Sequence, residues 1–160
     1  NIELTWLYLL SQDVLKTPRE KSWGKMVKIY EHTYQNGIDW INGGLFVEGE
    51  KTGTVTETNK EFWQQAEGMV GFLDAYLMTD DEKYLDAFKN IHDFVFEKMI
   101  NWEQGEWFAL LDQKGNVIWD YMGTSWKTLY HTVRGMCEIS NRLRKIIIEL
   151  KNKSLDKVMA

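Results

Sequence analysis

The sequence predicts an all-α protein with short β excursions, built from a unit that occurs more than once. Apolar side chains recur at three- and four-residue intervals through most of the chain, which is the spacing of an amphipathic helix. The segment 40–46, with the pattern Trp-x-x-Gly-x-Leu-Phe, recurs 62 residues later at 102–108 as Trp-x-x-Gly-x-Trp-Phe. A repeat of this length indicates stacked units that bury their apolar faces against each other.

Five helices are expected from the apolar periodicity and from the residues at its ends. Thr17 and Glu20 are spaced as in a helix capping box, and Thr79 and Glu82 repeat that spacing 62 residues later. Gly37 offers the left-handed conformation that commonly ends a helix. The expected helices run from about Leu4 to Leu15, from Pro18 to Asn36, from Thr58 to Leu77, from Thr79 to Val95 and from Leu129 to Lys151.

Two β excursions are expected between the helices. One is the apolar segment 44–47. The other pairs 107–110 with 117–119 across the polar turn 113–116. The expected unit is therefore a helical hairpin followed by a β excursion.

The first helix indicates that the chain is part of a larger set of such units. Trp6, Leu7, Leu9 and Leu10 place apolar side chains on almost every side of it. A helix that is apolar all round expects neighbours on every side. The 160 residues hold fewer than three 62-residue units, so we expect further units outside this chain.

The composition limits the partners and the location of the protein. The formal charge is −5, from 19 basic and 24 acidic side chains, and no basic cluster marks a nucleic-acid or anionic-membrane surface. No apolar run approaches the ~18 residues of a membrane span. Cys137 is the single cysteine, and residues 1–4 lack the layout of a signal peptide. These features predict a cytoplasmic protein that binds neither nucleic acid nor membranes.

Two segments combine aromatic rings with acid–base groups. A flat ring matches the C–H face of a sugar, although burial between helices explains most tryptophans as well. Histidine exchanges protons near neutral pH, which suits general acid–base catalysis. The groups concerned are Trp63 and Glu67 in the segment 62–67, and Trp126, His131 and Arg134 in the segment 126–134.

Several of these candidates also have an ordinary structural interpretation. Glu67 either points into a cavity or pairs with a lysine on the helix surface. Arg134 either binds a ligand or pairs with Glu138, four residues further along the helix. His131 differs from the other two histidines because a tryptophan, a tyrosine and an arginine surround it in the sequence.

These segments resemble the N-acylglucosamine 2-epimerase family, which includes the cellobiose 2-epimerases. The family carries Trp-Trp-x-Gln-Ala-Glu where this chain has 62–67, so that Phe62 keeps a ring but lacks the indole N–H. It carries Trp-Lys-x-x-Tyr-His-x-x-Arg where this chain has 126–134. Its Gly-Gly-(Leu/Phe) turn is similar to 43–45, and its His-(Asp/Asn)-Ile-Glu segment is similar to 1–3.

The resemblance implies an (α/α)6 toroid, a ring of six helical hairpins. Residues 1–160 would form the C-terminal portion of this single domain, and the N-terminal portion would be absent from the chain. The family's histidine before Ile-Glu would then immediately precede Asn1. This expectation agrees with the incomplete set of repeats.

The activity implied is epimerisation at C2 of the reducing-end sugar of a disaccharide such as cellobiose or mannobiose, or of a hexose derivative. His131 would be the catalytic acid–base, abstracting and returning a proton through an enediolate. No metal and no cofactor is implied. For Glu3 the ordinary alternative is an acid that matches the dipole at the helix start. The substrate-binding residues implied are Glu3, Trp63, Glu67, Trp126 and Arg134.

Three other functions fit the same sequence features. An aldose–ketose isomerase shares the enediolate and differs in where the proton returns. A toroid glycoside hydrolase would use two carboxylates, for which Glu3 and Glu67 are available. A glycan-binding protein would keep the tryptophans and tolerate loss of His131.

Overall fold

The computed structural model describes the backbone of residues 1–159 and the side chains of residues 1–155. Helices account for most of the chain, which confirms the predominantly helical class predicted from the sequence. Within the described residues, none of them combines the length and the apolar character needed to cross a bilayer. The α-helices are α1 (Ile2–Val14), α2 (Trp23–Asn36), α3 (Phe62–Thr79), α4 (Lys83–Phe94) and α5 (Leu129–Met159).

Short strands fill the connections between the helices. They are β1 (Glu48–Gly49), β2 (Val55–Glu57), β3 (Lys60–Glu61), β4 (Ile100–Asn101), β5 (Glu106–Trp107), β6 (Leu110–Leu111) and β7 (Val117–Trp119). All pairings are antiparallel: β1 with β2, β4 with β5, and β6 with both β3 and β7. The expected pairing of 107–110 with 117–119 is therefore found only in part. Residues 110–111 pair with 117–119, whereas residues 106–107 pair with 100–101.

The first predicted capping box is wrong. Thr17 lies just beyond the end of α1, and its backbone N–H donates to the carbonyl of Gln12 at 2.8 Å. Pro18 precedes a single 3-10 turn, Arg19–Lys21, and α2 begins only at Trp23.

The second predicted capping box is also wrong. Thr79 is the last residue of α3, and its hydroxyl donates to the carbonyl of Ala75 at 2.7 Å. Asp80 then ends α3 in the left-handed conformation, with φ of 57°. The carboxylate of Asp81 accepts the N–H of Lys83, where α4 begins, at 3.1 Å. Thr79 thus belongs to α3 and Thr17 lies just beyond α1, so neither threonine caps the helix that follows.

The start of α3 and the end of α2 differ from the sequence-based expectation as well. Helix α3 begins at Phe62 rather than Thr58, because residues 60–61 pair with β6 as strand β3. Gly37 ends α2 with an ordinary negative φ of −93°. In the turn that follows α2, Gly43 and Gly44 are left-handed, with φ of 87° and 78°. They turn the chain sharply, so the expected excursion 44–47 contributes one isolated bridge, and a strand follows only at 48–49.

Helix α3 lies at the centre of the fold and contacts the other four helices. It runs parallel to α5, because Glu67 contacts His131 and, two turns further along, Asp74 forms an ion pair with Arg142 at 2.8 Å. The N-terminal part of α1 also lies beside Glu67, which receives a hydrogen bond from Trp6. The N-terminal turns of α1, α3 and α5 therefore lie together at one end of the molecule, and the candidate site is at that end.

Two glycines allow the close packing around α3. A Cβ on Gly68 would lie 2.2 Å from a methyl group of Leu45, and one on Gly71 would lie 2.4 Å from Ile2. Any larger residue at these positions would push α1 or the 43–46 turn away from α3.

A buried ion pair fastens the 39–46 turn to strand β3. The Nζ atom of Lys60 is 3.2 Å from a carboxylate oxygen of Asp39, and the side chains are 0% and 3% exposed. Burial lowers the pKa of Lys60 to about 8, although the attraction of Asp39 works against this shift. Burial would raise the pKa of Asp39, but hydrogen bonds from Asn42 and the charge of Lys60 outweigh it and lower that pKa to about 2. Gln113 also donates to Asp39, at 3.2 Å, so the pair joins both β excursions.

We expect Asp39→Ala to destabilise the full-length protein by about 3–5 kcal/mol, because it leaves a buried ammonium group without its carboxylate. The measurement is the free energy of unfolding in urea at pH 7. Asp112→Ala is the matched control, since Asp112 accepts turn N–H groups from Lys114 and Asn116 but neutralises no buried cation. Equal losses in the two variants would show that the turn hydrogen bonds matter and the ion pair does not.

Candidate active site

The carboxylate of Glu67 is the centre of the candidate site. Its side chain is 1% exposed and stands in the second turn of α3. One oxygen accepts a hydrogen bond from Nδ1 of His131 at 2.6 Å and another from the guanidinium of Arg134. The other oxygen accepts the indole N–H of Trp6 at 2.7 Å. Because burying a carboxylate is costly unless it is paired and hydrogen-bonded, these three donors explain how Glu67 is accommodated.

The hydrogen bond to Glu67 defines the orientation of His131. A carboxylate accepts the bond, so Nδ1 carries the proton and Nε2 is the nitrogen available as a base. Aromatic rings surround the imidazole: Tyr130 at 4.8 Å, Trp63 at 5.6 Å and Phe62 at 6.2 Å between ring centroids. The imidazole is thereby held in one position while it faces an open cleft.

Arg134 lies behind Glu67 rather than in the cleft. Its guanidinium carbon is 4.2 Å from the ring centroid of Trp6 and 4.8 Å from that of Tyr130. The sequence left open a pairing with Glu138, but Glu138 contacts Arg142 instead. The geometry therefore suits Arg134 to hold Glu67 in place.

Glu3, at the start of α1, lies close to Glu67 and His131. One ligand atom each from Glu3, Glu67 and His131 lie within 4.8 Å of one another. Burial raises the pKa of Glu3, and repulsion from Glu67 raises it further, against the opposing effect of His131 and Arg134. Glu3 is thus a carboxyl group that takes up a proton more readily than an exposed glutamate.

These three side chains also form a set that could hold a metal ion. The donors fit a metal poorly, because both oxygens of Glu67 already accept hydrogen bonds and Arg134 would face the added cation. The hydrogen-bonded arrangement explains the cluster without a metal.

An open cleft of about 580 Å³ leads from His131 to the surface. This is within the size range of small-molecule sites. Trp126 stands at its mouth with 91% of its surface exposed, so its ring is free to stack against a ligand. The residues that line the cleft include Glu3, Trp63, Tyr121, Trp126, Tyr130 and His131.

A smaller cavity of about 150 Å³ lies on the other side of Trp63. It runs between the start of α1, the end of α2 and the turn after Leu45. Glu3 and Trp63 line both cavities, and Glu67 lines the smaller one. Of the residues singled out in the sequence, the structure brings five to the cavities and places Arg134 behind them.

The sequence did not identify Trp6 and Tyr121 as site residues. Trp6 was interpreted as part of an apolar helix, although its position three residues after Glu3 puts both on one helical face. Tyr121 lies in the connection between β7 and α5, where no periodic pattern indicates which side chains meet.

Comparisons with known proteins identify the family of the chain. The N-acylglucosamine 2-epimerase family matches residues 1–135. The chain belongs to this family. It is 32% identical over 151 residues to the cellobiose 2-epimerase of Ruminococcus albus, covering 89% of this chain and 36% of that protein. It is 28% identical over 138 residues to the D-mannose isomerase of Marinomonas mediterranea, covering 86% of this chain and 35% of that protein.

Solved structures show the same relationship. The cellobiose 2-epimerase of Bacillus thermoamylovorans superimposes with a TM-score of 0.79 at 32% identity, over 88% of this chain and 36% of that one. A D-mannose isomerase gives a TM-score of 0.79 at 26% identity, over 88% and 35%. The chain therefore spans about a third of the length of these relatives.

We expect Glu3→Gln to stabilise the full-length protein at pH 7. Because the folded-state pKa of Glu3 is raised, its ionised form costs stability above that pKa, and the cost disappears as the pH falls towards 4. Urea unfolding at pH 7 and at pH 4 measures the difference between variant and wild type. Glu20→Gln, at an exposed glutamate, is the control and should change little at either pH. A loss of stability in Glu3→Gln at pH 7 would contradict the argument.

Proposed function

We propose that the protein containing this chain is a sugar 2-epimerase that acts at C2 of the reducing-end sugar of a β-1,4-linked disaccharide such as cellobiose or mannobiose. The observation that carries this proposal is His131, which lines the cleft and whose Nδ1 lies 2.6 Å from Glu67, so that Nε2 is the ring nitrogen left as a base. Membership of the N-acylglucosamine 2-epimerase family supports the reaction class.

The proposed reaction begins after the sugar ring opens to the aldehyde, which acidifies the C2 proton. Nε2 of His131 takes that proton, and the C–H electron pair forms the C1–C2 double bond as the carbonyl electrons move to O1, giving an enediolate. Return of a proton to the opposite face of C2 inverts the centre. We expect the group that serves this face to come from a part of the protein outside residues 1–160.

Sugar recognition is proposed to rest on the aromatic rings and the carboxylates. Trp63 lies beside His131, and Trp126 presents an exposed ring at the mouth of the cleft. Rings in these positions suit stacking against the C–H faces of a sugar. Glu3 and the oriented Glu67 are suited to hydrogen bonds with hydroxyl groups. Arg134 would contribute by fixing Glu67.

We also propose that the chain is an arc of an (α/α)6 toroid. Exposed apolar side chains support this, because α1 presents Leu4, Leu10 and Val14, and α5 presents Val133 and Ile148. Helices α1 and α5 both pack against α3, so each has a side left for a further neighbour. The relatives, which are about three times as long, have enough additional chain to provide those neighbours.

The second candidate is an aldose–ketose isomerase, which the similarity to D-mannose isomerases favours. It would share the abstraction by His131 and return the proton to C1, giving a ketose. The site geometry near His131 suits either outcome, because the choice depends on the group that donates the proton.

We expect the full-length wild-type protein, incubated with cellobiose or mannobiose in heavy water, to give the C2 epimer with deuterium at C2 and an intact linkage. His131→Asn should abolish this exchange while sugar binding persists, because asparagine is polar but cannot transfer the proton. Mass spectrometry and NMR of the products provide the measurement, without added metal or cofactor. His92→Asn, at a histidine outside the site, is the control.

Other products would identify the other functions. A ketose-ended disaccharide would indicate the isomerase, and monosaccharides whose release depends on Glu3 or Glu67 would indicate a hydrolase. Binding without any product would indicate a glycan-binding protein.

We expect residues 1–160 alone to show no epimerase activity and to unfold without cooperativity, because the exposed faces of α1 and α5 lack neighbours. Calorimetry, size-exclusion chromatography and the activity assay test this. A monomeric, cooperatively folded and active chain would contradict the proposed arc.

A further inference from the structure

The connection between β7 and α5, residues 120–128, forms the wall of the cleft that carries Trp126. Its side chains are exposed or half-buried with one exception, Lys127, which is 3% exposed. A loop of this kind is usually anchored by an apolar side chain. Here the anchor is a charged one.

The ammonium group of Lys127 holds three separate parts of the structure. Its Nζ donates to the carbonyl of Met122 at 3.0 Å, which closes the loop on itself. It lies 3.3 Å from a carboxylate oxygen of Glu106, in strand β5. It also lies 4.9 Å from the ring centroid of Phe62, the first residue of α3, which is within the range of a cation–π contact.

Three further hydrogen bonds connect this anchor to the site. The hydroxyl of Thr124 accepts the backbone N–H groups of Trp126 at 3.2 Å and Lys127 at 2.9 Å, so the position of Lys127 fixes the backbone that bears the exposed indole. The second oxygen of Glu106 accepts the hydroxyl of Thr132 at 3.5 Å, next to His131. Glu106 thus links the loop that carries Trp126 to the first turn of α5, next to His131.

We propose that the ion pair between the buried Lys127 and the half-buried Glu106 positions the cleft wall, and through it Trp126, for the sugar. This inference rests on the proposed function. Lys127 is among the residues that line the cleft, but its ammonium group contacts Met122, Glu106 and Phe62, and we therefore assign it a positioning role. The buried charge gives a directional anchor, since a hydrogen bond and an ion pair fix an orientation that an apolar contact leaves open.

The test compares Lys127→Met with the double variant Glu106→Gln/Lys127→Met in the full-length protein. Methionine keeps the apolar stem and removes the charge, which leaves Glu106 without its cation and lowers Tm. In the double variant glutamine removes that unpaired charge, so Tm should recover while the loop still lacks its anchor. Lys114→Met, at an exposed lysine in the turn between β6 and β7, is the control.

We expect both variants to raise KM for the disaccharide about tenfold, the loss expected for a misplaced aromatic contact, with kcat changed by less than about threefold. Hydrogen–deuterium exchange of the amides of 122–128 should increase in both. A KM that returns to the wild-type value together with Tm in the double variant would show a merely structural role. Unchanged exchange and KM in Lys127→Met would overturn the proposal.

The exchange measurement separates this inference from the proposed function. If the wild type shows no turnover of any sugar, the proposed function fails, and the exchange of 122–128 still decides whether Lys127 anchors the loop. If the wild type turns over sugar and the exchange is unchanged in Lys127→Met, the positioning inference fails alone.

Discussion

The hydrogen bonding of Glu67 is the constraint on which the candidate site depends. A buried carboxylate must be surrounded by donors, and here the donors come from two other helices: Trp6 from α1, and His131 and Arg134 from α5. The requirement to satisfy this one group therefore brings the starts of three helices together. The same contact selects the tautomer of His131 and places the imidazole against the cleft.

Neighbouring residues of α3 contact two different parts of the structure: Gln65 binds the turn at Leu45, and Glu67 binds His131. Gln65 turns away from the cleft, and its side-chain amide accepts from the N–H of Leu45 at 2.7 Å and donates to its carbonyl at 2.9 Å. Gly68 leaves room for Leu45 to pack closely. The face that carries Glu67 is directed at α1 and α5. The segment 65–68 thus both holds a connecting turn and orients His131. Its residues are therefore constrained by hydrogen bonding as well as by packing.

Two ion pairs, each with a buried lysine, help to hold the connections between the helices. Asp39 with Lys60, and Glu106 with Lys127, each join segments that are distant in the sequence. Neither pair is expected to contribute much net stability, because desolvation offsets most of the attraction. Their value is directional, since they fix the turns and the cleft wall relative to α3 and α5.

The sequence by itself determined the helical class and the approximate extent of most helices. It also determined the two segments that carry the candidate residues, which are Trp63, Glu67, Trp126, His131 and Arg134. Helical periodicity and motif spacing are local properties of the chain, and this is why they can be read without the tertiary structure. The sequence misplaced the capping threonines and the start of α3, since Thr79 is used by the preceding helix and residues 60–61 pair with a strand fifty residues away. Only the tertiary structure decided that Trp6 donates to Glu67, that Arg134 points at Glu67 and not at Glu138, and that Lys127 is buried. Each of these depends on contacts between elements distant in the sequence, and no local pattern specifies which polar groups meet when helices pack.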